Sequence, residues 1–230
     1  MNGDAEMTAA FAGLMRRRRS IRAYQPRPVE RAMVEEICRL ARTAPSGANL
    51  QPGHFHVLTG APLLDLIAGI EAAIDAGEPE HCEYSYFPEP MPPELKARQR
   101  AAGFALYQAL GVSRRDLEGR RAHFRRNYRF FDAPVGVIVS IDRRMGSGCF
   151  MDLGMSLMGF LLAAEAQGLG ATGIGAMANY GAVIHRLLDL PPQEMVVCGI
   201  ALGWPDPEAP ENRLRTARED LPAFTSFRGF

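Results

Sequence analysis

Five arginines stand within seven residues, Arg16-Arg17-Arg18-Arg19-Ser20-Ile21-Arg22, in a chain of zero formal net charge. Arg18 and Arg22 are four apart with Ser20 between them. A helix ending near Arg18 therefore lets all three turn toward one anion. Three other readings stay open: cations offsetting a helix dipole, a solvated charge run, or a nucleic-acid patch. The last is opposed by the charge balance and by the absence of aromatic residues within the run. A second pair, Arg215 and Arg218, lies in "NRLRTARED" and reads alone as surface charge. Pro45, Ser46, Gly47 and Asn49 in "APSGANLQPG" require at least a loop. Gly168-Leu-Gly170-Ala-Thr-Gly173 matches G-x-G-x-x-G but follows a predicted helix and enters a strand, the reverse of a dinucleotide fingerprint. Its glycines imply a tight turn or a group approaching the backbone closely. His54, His56, His81, His123 and His185 form no metal pattern. The four cysteines contain no C-x-x-C pair, and no G-x-S-x-G elbow occurs, so metalloenzyme and hydrolase readings lack support.

The elements that must position these residues follow from periodicity. The 230 residues, 47 % hydrophobic and with 26 basic against 26 acidic side chains, suit one domain over 1–230. Such a balance draws the chain neither to nucleic acid nor to an anionic membrane. Residues 151–166 are apolar but include Asp152 and Glu165, which reads as a buried helix and not a membrane span. The N-terminus has no signal-peptide pattern, and a reducing cytoplasm is expected. Helices are predicted over 8–18, with Thr8 as a possible cap, and over 30–43, 61–76, 95–110, 114–130, 151–167 and 183–190. "HFHVLTG", "APVGVIVSID" and "EMVVCGIALGW" read as strands, and "GLGATGIGAM" as a glycine-rich turn into an extended run. Residues 77–131, Pro-rich and then Arg-rich, form an excursion from the main sheet. Within it Tyr84, Tyr86 and Phe87 look like a lid.

In order along the chain, "RRRSIRAYQPRPV", "ARTAPSGANLQP", "FDAPVGVIV", "MDLGMSLMGFLLAAEAQGLGATGIG", "LDLPPQEMVVCGIALGWPD" and "NRLRTARED" resemble the FMN-dependent nitroreductase family. The resemblance implies an α+β fold with a central mixed β-sheet flanked by helices, built as an intertwined homodimer. FMN would lie at the dimer interface, and the long tail would cross to the partner. Arg18 matches the phosphate and ribityl contact, Arg19 a backbone contact, Ser20 a contact beside the pyrimidine, and Arg22 the cation near N1 and the C2 carbonyl. Pro45, Ser46 and Gly47 match residues lining the ring, Asn49 one at its pyrimidine edge, and Ile174, Gly175 and Ala176 the backbone passing N5. Arg218, with Arg215, would close the phosphate site. The implied reaction is ping-pong hydride transfer from NAD(P)H through FMN to a nitroaromatic, with Tyr84, Tyr86 and Phe87 capping the substrate. Rival readings are quinone or enone reduction, reductive dehalogenation, or a non-enzymatic polyanion binder. Gly53 stands where the family often has a bulky aromatic, which is expected to reshape the pocket wall.

Overall fold

A computed structural model describes residues 2–230. Helix α1 (Asn2–Arg17) starts well before the predicted point. Asp4 in its first turn favours the positive helix end, so Thr8 lies inside the helix and its hydroxyl donates to the Asp4 carbonyl at 2.8 Å. Thr8 is not a cap. Helix α2 (Arg31–Arg42) leads into a 3₁₀ turn at Gly47–Asn49, strand β1 (His54–Thr59) and α3 (Gly60–Asp75). The excursion holds α4 (Pro93–Ala109) and α5 (Leu117–Arg125). The helix predicted over 114–130 is therefore shorter, and it gives way to a 3₁₀ run at Arg126–Asp132. There Phe130, Phe131 and Asp132 all have positive φ. Burying both phenylalanines almost completely offsets the cost of holding side chains in that conformation.

Strand β2 (Val135–Asp142) and helix α6 (Ser147–Ala166) follow, then β3 (Gly170–Ile174), a 3₁₀ run at Gly175–Tyr180, α7 (Gly181–Leu187), β4 (Glu194–Gly203) and a short α8 (Leu221–Phe224). The sheet order is β1-β2-β4-β3, and the three strand pairings are antiparallel. Parallel character enters through the bridge from Ser20 to Ala171, which lays the end of the arginine run along β3.

Both sheet faces are covered. Val135, Val137, Val139, Ile200 and Leu202 pack with Ile37 of α2 and Phe160 of α6. Ile138, Val196 and Ala201 pack on the other face with Leu66 and Ile70 of α3 and Ile184 of α7. Side chains that alternate along a strand reach both layers, which is why β2 and β4 read as unbroken apolar runs. Helix α6 departs from the expectation of a buried helix. Leu153, Ser156, Phe160, Ala163 and Ala164 face the core, whereas Met151 and Met155 are 71 % and 42 % exposed. By length and composition it is apolar enough to cross a membrane.

Candidate functional site

The arginine run sits where α1 ends and the chain joins β3. Ile21 is buried and donates its backbone N–H to the Ala171 carbonyl, leaving Ser20 and Arg22 to alternate onto the opposite side. Gly170 makes this approach possible, because a Cβ there would lie 2.6 Å from Ile21 Cγ1. Partly buried Tyr24 fixes the arc, its hydroxyl shared between the carbonyls of Ile21 at 2.8 Å and Ala201 at 3.2 Å. Burial raises the Tyr24 phenol well above its ordinary pKa, so it remains a donor.

The tail returns to the same place. Arg18, Arg19, Ser20, Arg22, Arg215 and Arg218 line one cavity of about 740 Å³, with Met15 and Met158 on its apolar side. Arg215 reaches back to the Arg16 carbonyl at 2.8 Å. Arg218 bonds within its own turn, to the hydroxyl of Thr216 at 2.7 Å. Arg18 Nε is buried and has no hydrogen-bond partner. Burial pulls the Arg22 pKa below the ordinary arginine value, while Tyr24 and Glu211 pull the other way. A desolvated guanidinium and an orphaned buried N–H are both relieved by an incoming anion.

Asn212 is the functional residue that spacing did not single out. Its side chain is buried; Oδ1 accepts from the N–H groups of Arg22 at 2.8 Å and Ala23 at 3.2 Å. Its Nδ2 donates to the carbonyls of Ala23 at 2.8 Å and Asp206 at 2.9 Å. This stitches the tail to the arginine run. Arg126 adds a second stitch, bonding the Arg22 carbonyl at 3.2 Å and pairing with buried Glu211 at 3.3 Å.

Pro45, Ser46, Gly47 and Asn49 are not brought to this cavity within the protomer. They occupy the loop after α2, at the opposite half of α6 from Met158 and Glu165. Pro45 and Ser46 line a separate small pocket with Asp152 and Ser156. The loop is well built: Ser46 Oγ accepts from Gln51 N at 2.9 Å, and Gly47 N donates to Asp152 at 3.0 Å. Arg42 clamps the carbonyls of Gln51, Pro52 and Gly53 at 2.6, 3.2 and 2.6 Å. Gly53 does not border open space. Its φ is +93° and a Cβ would lie 2.4 Å from Leu153 Cδ1, so Leu153 fills that space.

Ile174, Gly175 and Ala176 leave the end of β3 beneath the lid-like segment. A Cβ on Gly175 would lie 2.9 Å from the Tyr86 ring. Tyr84, Tyr86 and Phe87 differ in their surroundings. Tyr84 is half-buried, packs tilted against Phe150 and donates to the Val197 carbonyl at 2.6 Å. A bulge leaves Val197 unpaired with β2, which puts that carbonyl at Tyr84's disposal. Tyr86 and Phe87 are 61 % and 53 % exposed.

The Nitroreductase family model matches residues 15–204, from the arginine run to the end of β4. The chain is 39 % identical over 215 residues to chloronitrobenzene nitroreductase of Comamonas testosteroni, covering 93 % of this chain and 95 % of that one. It is 37 % identical to nitrobenzene nitroreductase of Ectopseudomonas oleovorans over the same shares. Its fold superposes on the FMN and NADPH-dependent nitroreductase NfnB of Sphigopyxis sp. strain HMH with a TM-score of 0.92. That pair shares 36 % identity, over 95 % of this chain and 99 % of the other. The anion-seeking arc laid along β3 thus belongs to a fold and a sequence pattern that agree end to end, and the chain is a member of the nitroreductase family.

Proposed function

We propose that this protein is an FMN-dependent, NADPH-oxidising nitroreductase that takes aromatic nitro groups to nitroso and hydroxylamine products, as a homodimer in the cytoplasm. One observation carries the reading: the buried, unpaired Nε of Arg18 in a cavity that also gathers Arg19, Ser20, Arg22, Arg215 and Arg218. A phosphate there accepts charge-assisted bonds from forked guanidinium groups, the strongest kind available to it. Arg22, held by Asn212 and Tyr24, sets a cation beside Ser20 for the electron-rich pyrimidine edge of the cofactor. When bound, FMN supplies the hydride chemistry that no side chain here can perform. The chain supplies the rest: Arg18 and the tail arginines bind, Arg22 places charge, Ile174–Ala176 offer backbone to a flat ring, and Tyr86 and Phe87 cap the substrate. Tyr84 positions that cap.

The homodimer rests on surfaces left uncovered in one protomer. Met151, Met155, Met158 and Leu162 recur at helical spacing along α6, and none is fully buried. The tail carries exposed Leu221, Phe224, Phe227 and Phe230. A second copy covering this stripe would bring its own Pro45–Asn49 loop to the arginine cavity, completing a site that one protomer leaves in two pieces.

The visible spectrum of the purified protein tests the reading. A yellow protein that bleaches anaerobically with NADPH and recovers colour on adding nitrobenzene is the expected result. A colourless protein that FMN cannot reconstitute would sink it and return the arginines to a polyanion-binding role, with salt-sensitive binding.

A further inference from the structure

The sheet edge opposite the arginine cavity gathers donors that the flavin chemistry does not use. His54 and His56 are two apart on β1 and so share one face of the sheet. Ser140 of β2 is the register partner of His54, and Glu194 opens β4 one strand further on. His56 Nε2 lies 2.8 Å from Glu194 Oε2 and 2.9 Å from Ser140 Oγ, and His54 Nδ1 lies 3.8 Å from Glu194 Oε1. Ser140 also bonds Glu194 directly. One donor atom from each of His54, His56 and Glu194 falls within 4.8 Å of the other two.

We propose that His54, His56 and Glu194 form a binding site for one borderline divalent cation, with Zn²⁺ as its type. Two imidazoles and a carboxylate suit zinc and its first-row neighbours, whereas calcium and magnesium prefer all-oxygen shells. Sequence spacing gave no metal pattern because Glu194 lies 138 residues from His56 and only the sheet register joins them. The adjoining cavity of about 220 Å³, lined by Gln51, Gly53, Met145 and Glu194 among others, leaves room for water ligands. Nearby cations are already engaged, Arg143 with Glu83 and Arg144 with Asp142.

The imidazole rings stack 4.3 Å apart and nearly parallel, so one must tilt for both lone pairs to meet. The His54 side chain, 64 % exposed, is free to do so. His54 Nδ1 then closes from 3.8 Å and His56 Nε2 opens from 2.8 Å toward the roughly 3.3 Å that separates ligands around tetrahedral zinc. The Ser140 hydroxyl bonds the Glu194 carboxylate. Ser140 then orients that carboxylate from the outer shell. A bound ion ties β1 to β4 across β2, directly after the loop that Arg42 clamps.

The test is calorimetric titration of the metal-free, FMN-loaded protein with ZnCl₂, alongside its melting temperature. One ion per chain is expected, with affinity falling roughly ten- to a hundredfold in both His54→Gln and Glu194→Gln and unchanged in His185→Gln. A zinc-dependent rise in Tm of several degrees should vanish in His54→Gln, whose exposed position leaves the metal-free fold intact. No saturable heat with the wild type overturns the site. Equal affinity in wild type and His54→Gln overturns it too, placing the ion elsewhere, such as on the cysteines.

Discussion

Arg18 and Asn212 do opposite kinds of work within the same arc. The Nε of Arg18 is enclosed and its N–H unanswered, which is a cost in the free protein and a gain when an anion arrives. Arg18→Ala should weaken FMN binding by about 1.5–3 kcal/mol, roughly ten- to a hundredfold. Quenching of FMN fluorescence reads this directly, and wild-type affinity in the variant would remove Arg18 from the phosphate site. Asn212 instead has four bonds and no spare capacity. Asn212→Ala strands backbone groups of Arg22, Ala23 and Asp206, and should cost about 2–4 kcal/mol in a urea melt. The Arg18, Ser20 and Arg22 grouping could be read from a four-residue spacing. Asn212 could not, since its partners lie 189 and 190 residues away.

Residues 83–87 form an element with an anchored base and an exposed tip. Tyr84 and the Glu83–Arg143 pair hold the base, and Tyr86 lies over Gly175 at the tip. Tyr86→Ala should shift KM for nitroaromatics several-fold while FMN stays bound; release of FMN would mean that Tyr86 supports the cofactor and not the substrate. Tyr84→Phe strands the Val197 carbonyl and should lower stability by about 1 kcal/mol, measured by thermal melting. The aromatic cluster in a Pro-rich stretch could be read directly from the sequence. That Tyr84 is its anchor depends on a bulge, and a bulge leaves no mark in a run of apolar residues such as "EMVVCGIALG".

The molecule as a whole is organised around α6, with the core on one side and an uncovered methionine stripe on the other. Met155→Arg should yield a monomer by light scattering, with FMN affinity reduced because the Pro45–Asn49 loop of a second copy is lost. A dimer that keeps its FMN would rule this stripe out as the interface. Acid sensitivity is also a global property. Burial lowers the pKa of His56 and of His123 from 6.5, with Arg126 and Arg22 adding to the effect at His123. The folded state therefore binds fewer protons than the unfolded one at these groups. Their contribution is complete above pH 6.5 and is lost as pH falls through the folded values. Urea midpoints should be flat from pH 8 to 7 and fall by pH 5.5; the pH dependence should weaken in His56→Gln.

Local chemistry settled much of this protein in advance. Apolar periodicity placed most helices and strands to within a few residues, α1 and α5 excepted. The order of its motifs carried the family, and the charge run stood out in a chain of zero net charge. Those are properties of neighbours in the chain, fixed by side-chain volume, backbone preference and short-range electrostatics. Folding decided which distant groups meet. It brought Arg215 and Arg218 to Arg18, hung Arg22 on Asn212, joined His54 to Glu194, and left the Ser46 loop and the arginine cavity at separate ends of α6. Contacts of that kind depend on strand register and on where the chain returns, and neither is encoded within any single window of residues.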